Sequence, residues 1–204
     1  MSVKVKICGI TSVEDARAAV DAGADAIGLM FFERSPRNLT FKDAAKICLA
    51  LPPFVTRVGV FVNSSEDFVR EAIEFCGLTA VQFHGEESAN YCARFDTDVI
   101  KAFRVRDAAS LADLPSYQTR AWLLDSFIIG KIGGTGVKFN WDLALKAKCH
   151  GRPIILAGGL TPENVNEAVA KVQPYGVDVS SGVESAPGKK DPAKLRAFIA
   201  AAKK

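Results

Sequence analysis

Two short glycine-containing segments near the C-terminus carry residue types that suit a phosphate group. Gly158 and Gly159 lie in the segment LAGGLTP, and Ser180, Ser181 and Gly182 follow the next apolar run along the chain. Glycine lets the backbone approach an anion closely, and free N–H groups at the start of a helix favour negative charge. Either segment alone is equally compatible with an ordinary tight turn. Because the two segments follow consecutive predicted strands, together they predict a phosphate site.

Polar side chains gather near the ends of several apolar runs, on one alternation of residues. Gln82 and His84 alternate with apolar residues in VQFH, Asp125 ends WLLD, and Cys8 ends VKVKIC. Alternate residues of a strand face opposite sides, so these side chains and that of Ser180 share one side of their strands. If the strands close into a barrel, Cys8, His84, Asp125 and Ser180 surround one mouth. Active sites of barrel enzymes lie at that face.

Short apolar runs rich in valine, isoleucine and phenylalanine alternate with helix-like segments along the whole chain. The eight predicted strands are Val3–Cys8, Ala24–Phe31, Arg57–Val62, Ala80–His84, Val99–Phe103, Ala121–Asp125, Pro153–Ala157 and Gly176–Ser180. Strands that alternate with helices indicate a parallel sheet, and eight such units favour a (β/α)8 barrel over the doubly wound folds with the same local pattern. At about 25 residues per unit, residues 1–204 are predicted to form a single α/β domain with short loops.

Four segments carry signals for the start of a helix. Ser12–Asp15 and Ser64–Asp67 resemble capping boxes. Thr161 and Asp191 each precede a proline, an arrangement that places a capping residue before proline at the first helical position. We therefore expect a helix to begin at each of these four positions.

The composition is that of an ordinary globular protein. Of the 204 residues, 49% are apolar and 24% are charged, which excludes disordered, collagen-like and disulfide-scaffold chains. The 26 basic residues exceed the 23 acidic ones only slightly and are scattered, a weaker basic footprint than nucleic-acid binding usually leaves. No apolar run is long enough for a membrane span, and the N-terminus lacks a signal-peptide pattern. The expected partner is a small phosphorylated molecule, with neither nucleic acid nor a membrane.

Cysteine and histidine usage indicates reduced thiols and no metal site. The five cysteines, Cys8, Cys48, Cys76, Cys92 and Cys149, are widely spread and form no C-x-x-C pair. This usage predicts a cytoplasmic location rather than a disulfide framework. Only Cys8 ends a predicted strand, and we assign no role to the other four. With two histidines and no dinucleotide fingerprint, the sequence predicts neither a metal nor a cofactor.

Seven motifs stand in the order found in the phosphoribosylanthranilate isomerase family. They are KICGIT from Lys6, GVFVN from Gly59, VQFHG from Val81, LDS from Leu124, GGTG from Gly133, LAGGL from Leu156 and VDVSSGVE from Val177. One glycine pair would be a weak signal, whereas seven ordered motifs from Lys6 to Glu184 cover nearly the whole chain. The sequence resembles the monofunctional form of this family, and we expect no fused indole-glycerol-phosphate synthase domain.

The resemblance implies a TIM barrel of the ribulose-phosphate-binding type and a cofactor-independent Amadori rearrangement in tryptophan biosynthesis. In that reaction N-(5-phospho-β-D-ribosyl)anthranilate becomes 1-(2-carboxyphenylamino)-1-deoxy-D-ribulose 5-phosphate. An acid protonates the furanose ring oxygen to give an open Schiff base, and a base then removes the proton from C2. The two groups need separately tuned environments to hold opposite protonation states near neutral pH.

The family's pattern assigns Cys8 as the general base, Asp125 as the general acid and Arg37 to the anthranilate carboxylate. A free thiol has a pKa near 8.5, so we expect the positive groups and helix N-termini of a phosphate site to lower the pKa of Cys8. The carboxyl group of Asp125 needs a partly apolar environment to stay protonated. Without the motifs these residues have ordinary explanations: a buried cysteine, a helix cap and a solvated arginine.

Four further residues face the predicted mouth or the barrel interior. Gln82 and His84 are expected to contact substrate hydroxyl groups or to form an internal hydrogen-bond network. Asp178 is expected either to contact a ligand hydroxyl or to support the barrel interior and the phosphate loops. Lys6 shares the interior alternation of Cys8, and an unpaired buried charge is very costly. We therefore predict that Lys6 pairs with a buried carboxylate, for which Asp178 is one candidate.

Three questions stay open at the level of sequence. The glycine-rich loop 130–136 is predicted to fold over the substrate as a lid, although a static turn has the same composition. Another sugar-phosphate isomerase or a silent phosphate-binding barrel has a similar pattern, but the former typically uses two aspartates and the latter needs no acid–base pair. The oligomeric state is either a monomer, slightly favoured for so small a barrel, or a homodimer.

Overall fold

The computed structural model describes residues 2–126 and 141–204, which form a closed barrel of eight parallel strands in sequential order. The strands are β1 (Lys4–Cys8), β2 (Ala26–Met30), β3 (Thr56–Phe61), β4 (Ala80–Phe83), β5 (Asp98–Val105), β6 (Ala121–Ser126), β7 (Ile154–Leu156) and β8 (Gly176–Val179). Pairing of β8 with β1 closes the sheet. The predicted (β/α)8 architecture and the eight predicted strands are confirmed, with ends that differ by one or two residues.

The helices of the described residues lie outside the barrel. They are α1 (Val13–Asp21), α2 (Phe41–Leu49), α3 (Glu66–Cys76), α4 (Ala89–Cys92), α5 (Trp141–Lys148), α6 (Val165–Val172) and α7 (Pro192–Ala202). The prediction of a helix after every strand is wrong for β5, which is followed by two 3-10 turns, Ala109–Leu111 and Leu114–Ser116. The Ser110 hydroxyl accepts from the N–H groups of Arg106 and Asp107 and so competes with helical hydrogen bonding there.

A two-stranded hairpin follows β8, and the sequence pattern does not predict it. It consists of β9 (Glu184–Ala186) and β10 (Lys189–Lys190) and precedes α7. Strands this short carry no readable alternation of apolar and polar residues. The hairpin brings two charged side chains to the mouth of the barrel, as described below.

Alternate strand residues belong to two separate apolar cores. The inner core consists of Val58, Ala80, Ile100, Ala102, Ala121, Leu123, Ile155 and Ala157. The outer core contains the intervening strand residues, among them Val5, Ile7, Val81, Phe83, Trp122, Leu124, Val177 and Val179. Gln82 shares the alternation of Ala80, and Asp125 shares that of Leu123. The predicted inward direction of the polar residues is therefore confirmed by the way the strands pack.

The capping predictions have mixed outcomes. Ser12 and Asp191 cap α1 and α7 as predicted, because their side chains accept from backbone N–H groups of the first turn. The cap of α3 is Ser65, one residue later than the predicted box begins. The prediction at Thr161 is wrong: α6 begins at Val165, and the Thr161 N–H is instead bound by the side chain of Asn164 at 2.8 Å.

A buried ion pair fixes the loop that follows β4. Lys101 of β5 contacts Glu87 at 3.0 Å, and both side chains are only 3% exposed. The Lys101 ammonium also donates to the carbonyl oxygens of Phe83 and Gly85. Glu87 in turn accepts from the N–H groups of Asn63 and Gly85. This network holds the chain on both sides of His84.

None of the helices described is long and apolar enough to cross a membrane.

The cap of α7 gives a test of the fold. Asp191→Ala removes an acceptor for the N–H groups of Ala193 and Lys194, so the free energy of unfolding should fall by about 1 kcal/mol. Urea unfolding measures this change. The exposed Glu71→Ala on α3 is the matched control, and equal stability of the two variants would contradict the capping role.

Candidate active site

The site lies at the mouth formed by the C-terminal ends of the strands. Asp125 of β6 and His84, which follows β4, meet across β5: Asp125 Oδ2 lies 3.2 Å from His84 Nε2. The intervening strand presents Ala102 to the interior, and this small side chain leaves room for the contact. The acid candidate and the imidazole, predicted from separate strands, are therefore brought together.

Gln82 orients the His84 ring from below. Its amide Nε2 lies 3.1 Å from His84 Nδ1, and an amide nitrogen can only donate. The two ring nitrogens are thus contacted from two strands, Nδ1 by Gln82 and Nε2 by Asp125. The internal network is one of the two alternatives predicted for Gln82 and His84. Their contact with substrate hydroxyl groups stays a prediction.

Cys8, Lys6 and Asp178 form a buried cluster on the opposite side of the mouth. Lys6 Nζ lies 2.8 Å from Asp178 Oδ1, and the two side chains are 5% and 9% exposed. The predicted pairing of Lys6 with Asp178 is confirmed. It follows from the strand register, because the two residues are direct partners between β1 and β8.

The environment of Cys8 differs from the sequence-based expectation. Burial raises the pKa of its thiol above the usual value; the positive charge of Lys6 lowers it and the carboxylate of Asp178 raises it. The predicted lowering of the Cys8 pKa is therefore wrong for the site as it stands. The sequence indicates which cations are nearby, but not how completely the thiol is removed from water.

Arg37 lies over the backbone beside Cys8 and is held by Glu184. Its Nε and Nη2 atoms donate to the two carboxylate oxygens of Glu184 at 2.8 and 2.5 Å. Gly9 has a positive φ of 71°, and a side chain there would collide with Arg37. The two-pronged contact orients the guanidinium group and leaves Nη1 free of Glu184.

Lys190 lies next to Cys8 and contacts Glu184. The sequence analysis assigned no role to Lys190 or Glu184. Its Nζ donates to Cys8 O at 2.6 Å, Glu184 Oε1 at 2.8 Å and Ser180 O at 3.2 Å. The side chain of Lys190 is fully buried. In the sequence, Glu184 could have been found because it ends the SSGVE segment. Lys190 gives no such signal, because it is one of two adjacent lysines of the kind usually found exposed.

The two predicted phosphate loops adjoin each other. Gly158 and Gly159 both have a positive φ, and a side chain on Gly182 would collide with the carbonyl oxygen of Leu160. The N–H groups of Gly159, Ser181 and Gly182 donate to no acceptor within the described part of the chain. The arrangement offers free donors to an anion, as expected, although the assignment of a phosphate to them stays a prediction.

Three further buried cysteines lie in the outer helices, away from the mouth of the barrel. Burial raises the pKa of Cys48, Cys76 and Cys92 to about 11, which leaves them inert as thiols. Across residues 2–126 and 141–204 no cluster of His, Cys, Asp and Glu side chains suits a metal ion. The predicted lid at 130–136 lies outside the described residues.

The charge of Glu184 gives a pH-dependent test of the mouth. Burial alone would raise its pKa, but hydrogen bonds from Arg37 and Lys190 outweigh this effect and hold the pKa below its ordinary value of 4.5. A carboxylate with a lowered pKa in the folded state stabilises the fold above its unfolded-state pKa and loses this contribution as pH falls through the lowered value. We expect Glu184→Gln to be less stable at neutral pH and to lose less stability on acidification below 4.5 than the parent.

Urea unfolding at neutral and acidic pH measures the free energy of unfolding of Glu184→Gln and of the parent, and its change with pH. Glu74→Gln, on an exposed position of α3, is the control for removal of a carboxylate. Parallel curves for Glu184→Gln and the parent would contradict the stabilising role of this contact.

Each comparison with known proteins matches nearly the whole chain. The family model described as N-(5'phosphoribosyl)anthranilate (PRA) isomerase matches residues 5–201. A relative of that name from Citrifermentans bemidjiense is 59% identical over 201 residues, covering 98% of this chain and 97% of the relative.

Two solved structures have the same fold. One contains monomers generated from the dimeric phosphoribosylanthranilate isomerase of Thermotoga maritima, with a TM-score of 0.89, 40% identity and 98% of each chain covered. The other is a phosphoribosylanthranilate isomerase in complex with reduced 1-(o-carboxyphenylamino)-1-deoxyribulose 5-phosphate, with a TM-score of 0.90, 42% identity and 98% of each chain covered. The chain therefore belongs to the N-(5'-phosphoribosyl)anthranilate isomerase family.

Proposed function

We propose that this chain isomerises N-(5-phospho-β-D-ribosyl)anthranilate to 1-(2-carboxyphenylamino)-1-deoxy-D-ribulose 5-phosphate, a step of tryptophan biosynthesis. The observation that carries the proposal is the mouth itself, which combines a buried thiol, a carboxyl group with a histidine partner and two adjoining glycine loops. The solved relative with a reduced carboxyphenylamino-deoxyribulose phosphate supports the same substrate class. The reaction is a redox-neutral rearrangement and needs no cofactor.

Asp125 is the general acid in this proposal. Its carboxyl group gives a proton to the furanose ring oxygen, the bond between that oxygen and C1 breaks, and C1 forms a protonated Schiff base with the anthranilate nitrogen. His84 Nε2, 3.2 Å from Asp125 Oδ2, orients the carboxyl group toward the ring oxygen. Asp125 is the more solvent-accessible of the two catalytic groups, so its proton can be replaced from water after each turnover.

Cys8 is the general base. Its thiolate takes the proton from C2, and the electron pair of that bond moves to the C1–C2 bond to give an enaminol. Transfer of the C2 hydroxyl proton to C1 then gives the ketone of the product, and loss of the proton from Cys8 and reprotonation of Asp125 restore the enzyme. A base and an acid on opposite sides of the mouth can reach C2 and the ring oxygen without neutralising each other.

The two anionic ends of the substrate are bound by different groups. Gly158, Gly159, Ser180, Ser181 and Gly182 provide backbone N–H groups for the 5-phosphate. At the other end, Arg37 binds the anthranilate carboxylate with the part of its guanidinium group that Glu184 leaves free. Gln82, His84 and Asp178 line the space between these ends.

Two other functions make different predictions. A sugar-phosphate isomerase of histidine biosynthesis has the same chemistry, but the cysteine at the end of β1 argues against its pair of aspartates. A silent phosphate-binding barrel has no use for both Cys8 and Asp125. Turnover of freshly prepared phosphoribosylanthranilate, followed as loss of its fluorescence, separates all three functions.

Substitution of the acid and the base tests their roles. Cys8→Ala and Asp125→Asn should each lower kcat by about 100- to 10,000-fold, because each removes one proton-transfer group while leaving the phosphate loops intact. Steady-state kinetics and product-analogue binding measure the two effects. The control is Cys48→Ala, a buried cysteine of α2 outside the mouth. Parent-like kcat for Cys8→Ala or Asp125→Asn would overturn the corresponding assignment.

We infer further that the chain forms a homodimer through the N-terminal end of its barrel. A cavity of about 520 Å³ opens there between Val58, Ala80, Ile100 and Ile155, with Phe54 at its rim. Phe54 is 98% exposed. The cavity is also lined by charged residues, among them Lys4, Arg120 and Arg152. An exposed aromatic side chain beside a cavity on the same face suits a two-fold dimer, in which each protomer fills the cavity of the other. The dimeric relative from Thermotoga maritima supports this assembly.

The mass in solution tests the dimer. Sedimentation should give twice the mass of the chain for the parent, and Phe54→Asp should give the monomer because the substitution removes the aromatic ring that fills the cavity and puts a charged group against its apolar residues. Phe75→Asp, at an exposed position of α3, should leave the mass unchanged. A monomeric parent would overturn the inference.

The cytoplasmic location is likewise a proposal. All five cysteines are free, which suits a reducing compartment.

A further inference from the structure

Lys6 is a buried cation that the proton transfers described above do not use. It lies in β1 with a side chain that is 5% exposed, and its ammonium contacts Asp178. Removal of a charged group from water is costly, and a pair of hydrophobic residues often stabilises such a position as well or better. A buried ion pair is therefore weak grounds for a purely structural role, and the surroundings of Lys6 indicate what else it does.

Lys6 and Cys8 approach each other above a glycine. They are two residues apart on one strand, so both side chains point to the barrel interior. Gly28 of β2 is the direct register partner of Cys8. A Cβ atom at Gly28 would lie 2.7 Å from Cys8 Sγ and 3.1 Å from Lys6 Nζ. A side chain at position 28 would therefore collide with both the sulfur and the ammonium, and its absence lets the two groups occupy neighbouring positions.

Four charged groups surround the Cys8 thiol. Lys6 lies on the same strand, Asp178 on β8, Lys190 on β10, and Arg37 on the loop after β2. Both Lys190 and Arg37 donate to the Glu184 carboxylate, which neutralises part of their positive charge. Among the three cations, Lys6 has the largest effect on the pKa of Cys8 and lowers it, whereas Asp178 raises it.

Lys6 also keeps its own proton. Burial alone would lower the pKa of Lys6, but the charges of Asp178 and Cys8 outweigh burial and raise the pKa above its usual value of 10.5. The contact with Asp178 therefore favours the charged ammonium in spite of its burial. A cation beside a buried thiol favours the thiolate in a site that otherwise disfavours it.

We propose that Lys6 is a positioning residue for the general base: held by Asp178, it stabilises the Cys8 thiolate that removes the C2 proton. The thiol first releases its proton to solvent and forms an ion pair with Lys6. When the thiolate takes the C2 proton, the S–H bond forms, the C2–H bond breaks and the pair is discharged. The inference rests on the proposed function, in which Cys8 is the base, and it assigns Asp178 to the barrel interior.

The thiol can be titrated without substrate. In a background with Cys48, Cys76, Cys92 and Cys149 replaced by serine, the difference in ultraviolet absorbance between the chain with Cys8 and the same chain with Cys8→Ala reports the Cys8 thiolate and cancels the contribution of the tyrosines. The double variant Lys6→Met/Asp178→Asn removes both charges and leaves no buried ion unpaired. We expect its titration midpoint to rise by at least about one pH unit, and kcat/KM at neutral pH to fall at least about tenfold and to recover as pH is raised.

Two further variants keep the test decisive. Lys6→Arg retains the charge and should restore much of the parent midpoint. Gly28→Ala keeps both charges but displaces the sulfur and the ammonium from their present positions, so it should raise the midpoint even if the double variant does not fold. The matched control is Lys101→Met/Glu87→Gln, which removes an equally buried pair away from Cys8 and should leave the midpoint unchanged.

The outcomes separate this inference from the proposed function. An unchanged midpoint in both Lys6→Met/Asp178→Asn and Gly28→Ala would overturn the role of Lys6, whatever the activity. A raised midpoint with an unshifted pH profile of kcat/KM would instead overturn Cys8 as the base, and with it any catalytic part for Lys6. A midpoint and a pH profile that move together support both.

Discussion

The ion pair between Lys6 and Asp178 joins the first and last strands at the place where the sheet closes. These two residues are 172 positions apart in sequence, and they are direct register partners between β1 and β8. A slip of one residue between β1 and β8 would turn one of the two side chains toward the helices and would leave both buried charges without their partner. The pair therefore favours a single register at the seam. The same register places Cys8 beside the loop that begins at Ser180.

Two other buried lysines act on the backbone at the mouth in a similar way. Lys190 binds the carbonyl oxygens of Cys8 and Ser180, and Lys101 binds those of Phe83 and Gly85. Each ammonium also contacts a buried glutamate, so its charge is matched. An ammonium group has three donors, which suits the task of tying two strand-end carbonyls to a carboxylate. The chains on either side of Cys8 and His84 are fixed by charge-assisted hydrogen bonds rather than by apolar packing alone.

The parts of the site that the sequence predicted follow from local alternation. The inward direction of Cys8, Gln82, His84 and Asp125 needs only the two-residue period of a strand, and a lysine on that alternation must find a carboxylate. The hydrogen bonds of Glu184 and Lys190 depend on a hairpin too short to show a period. The segment after β5 contains 3-10 turns and local contacts of the Ser110 hydroxyl with N–H groups, and such contacts leave no mark in the apolar pattern of the sequence. The raised pKa of Cys8 depends on burial in three dimensions, which a count of neighbouring cations does not reveal.

In the proposed function, the distribution of charge in the mouth explains how a substrate with two anionic groups is bound without a strongly basic surface. Arg37 is already matched by Glu184, so it contributes direction to the binding of a carboxylate more than net charge. The phosphate loops contribute neutral N–H groups, whose dipoles favour an anion without adding a cation. Lys6 is assigned to neither anionic group of the substrate in this proposal, so the base has a cation beside it that does not also bind substrate. The same local use of charge fits a chain with a net charge of only +3.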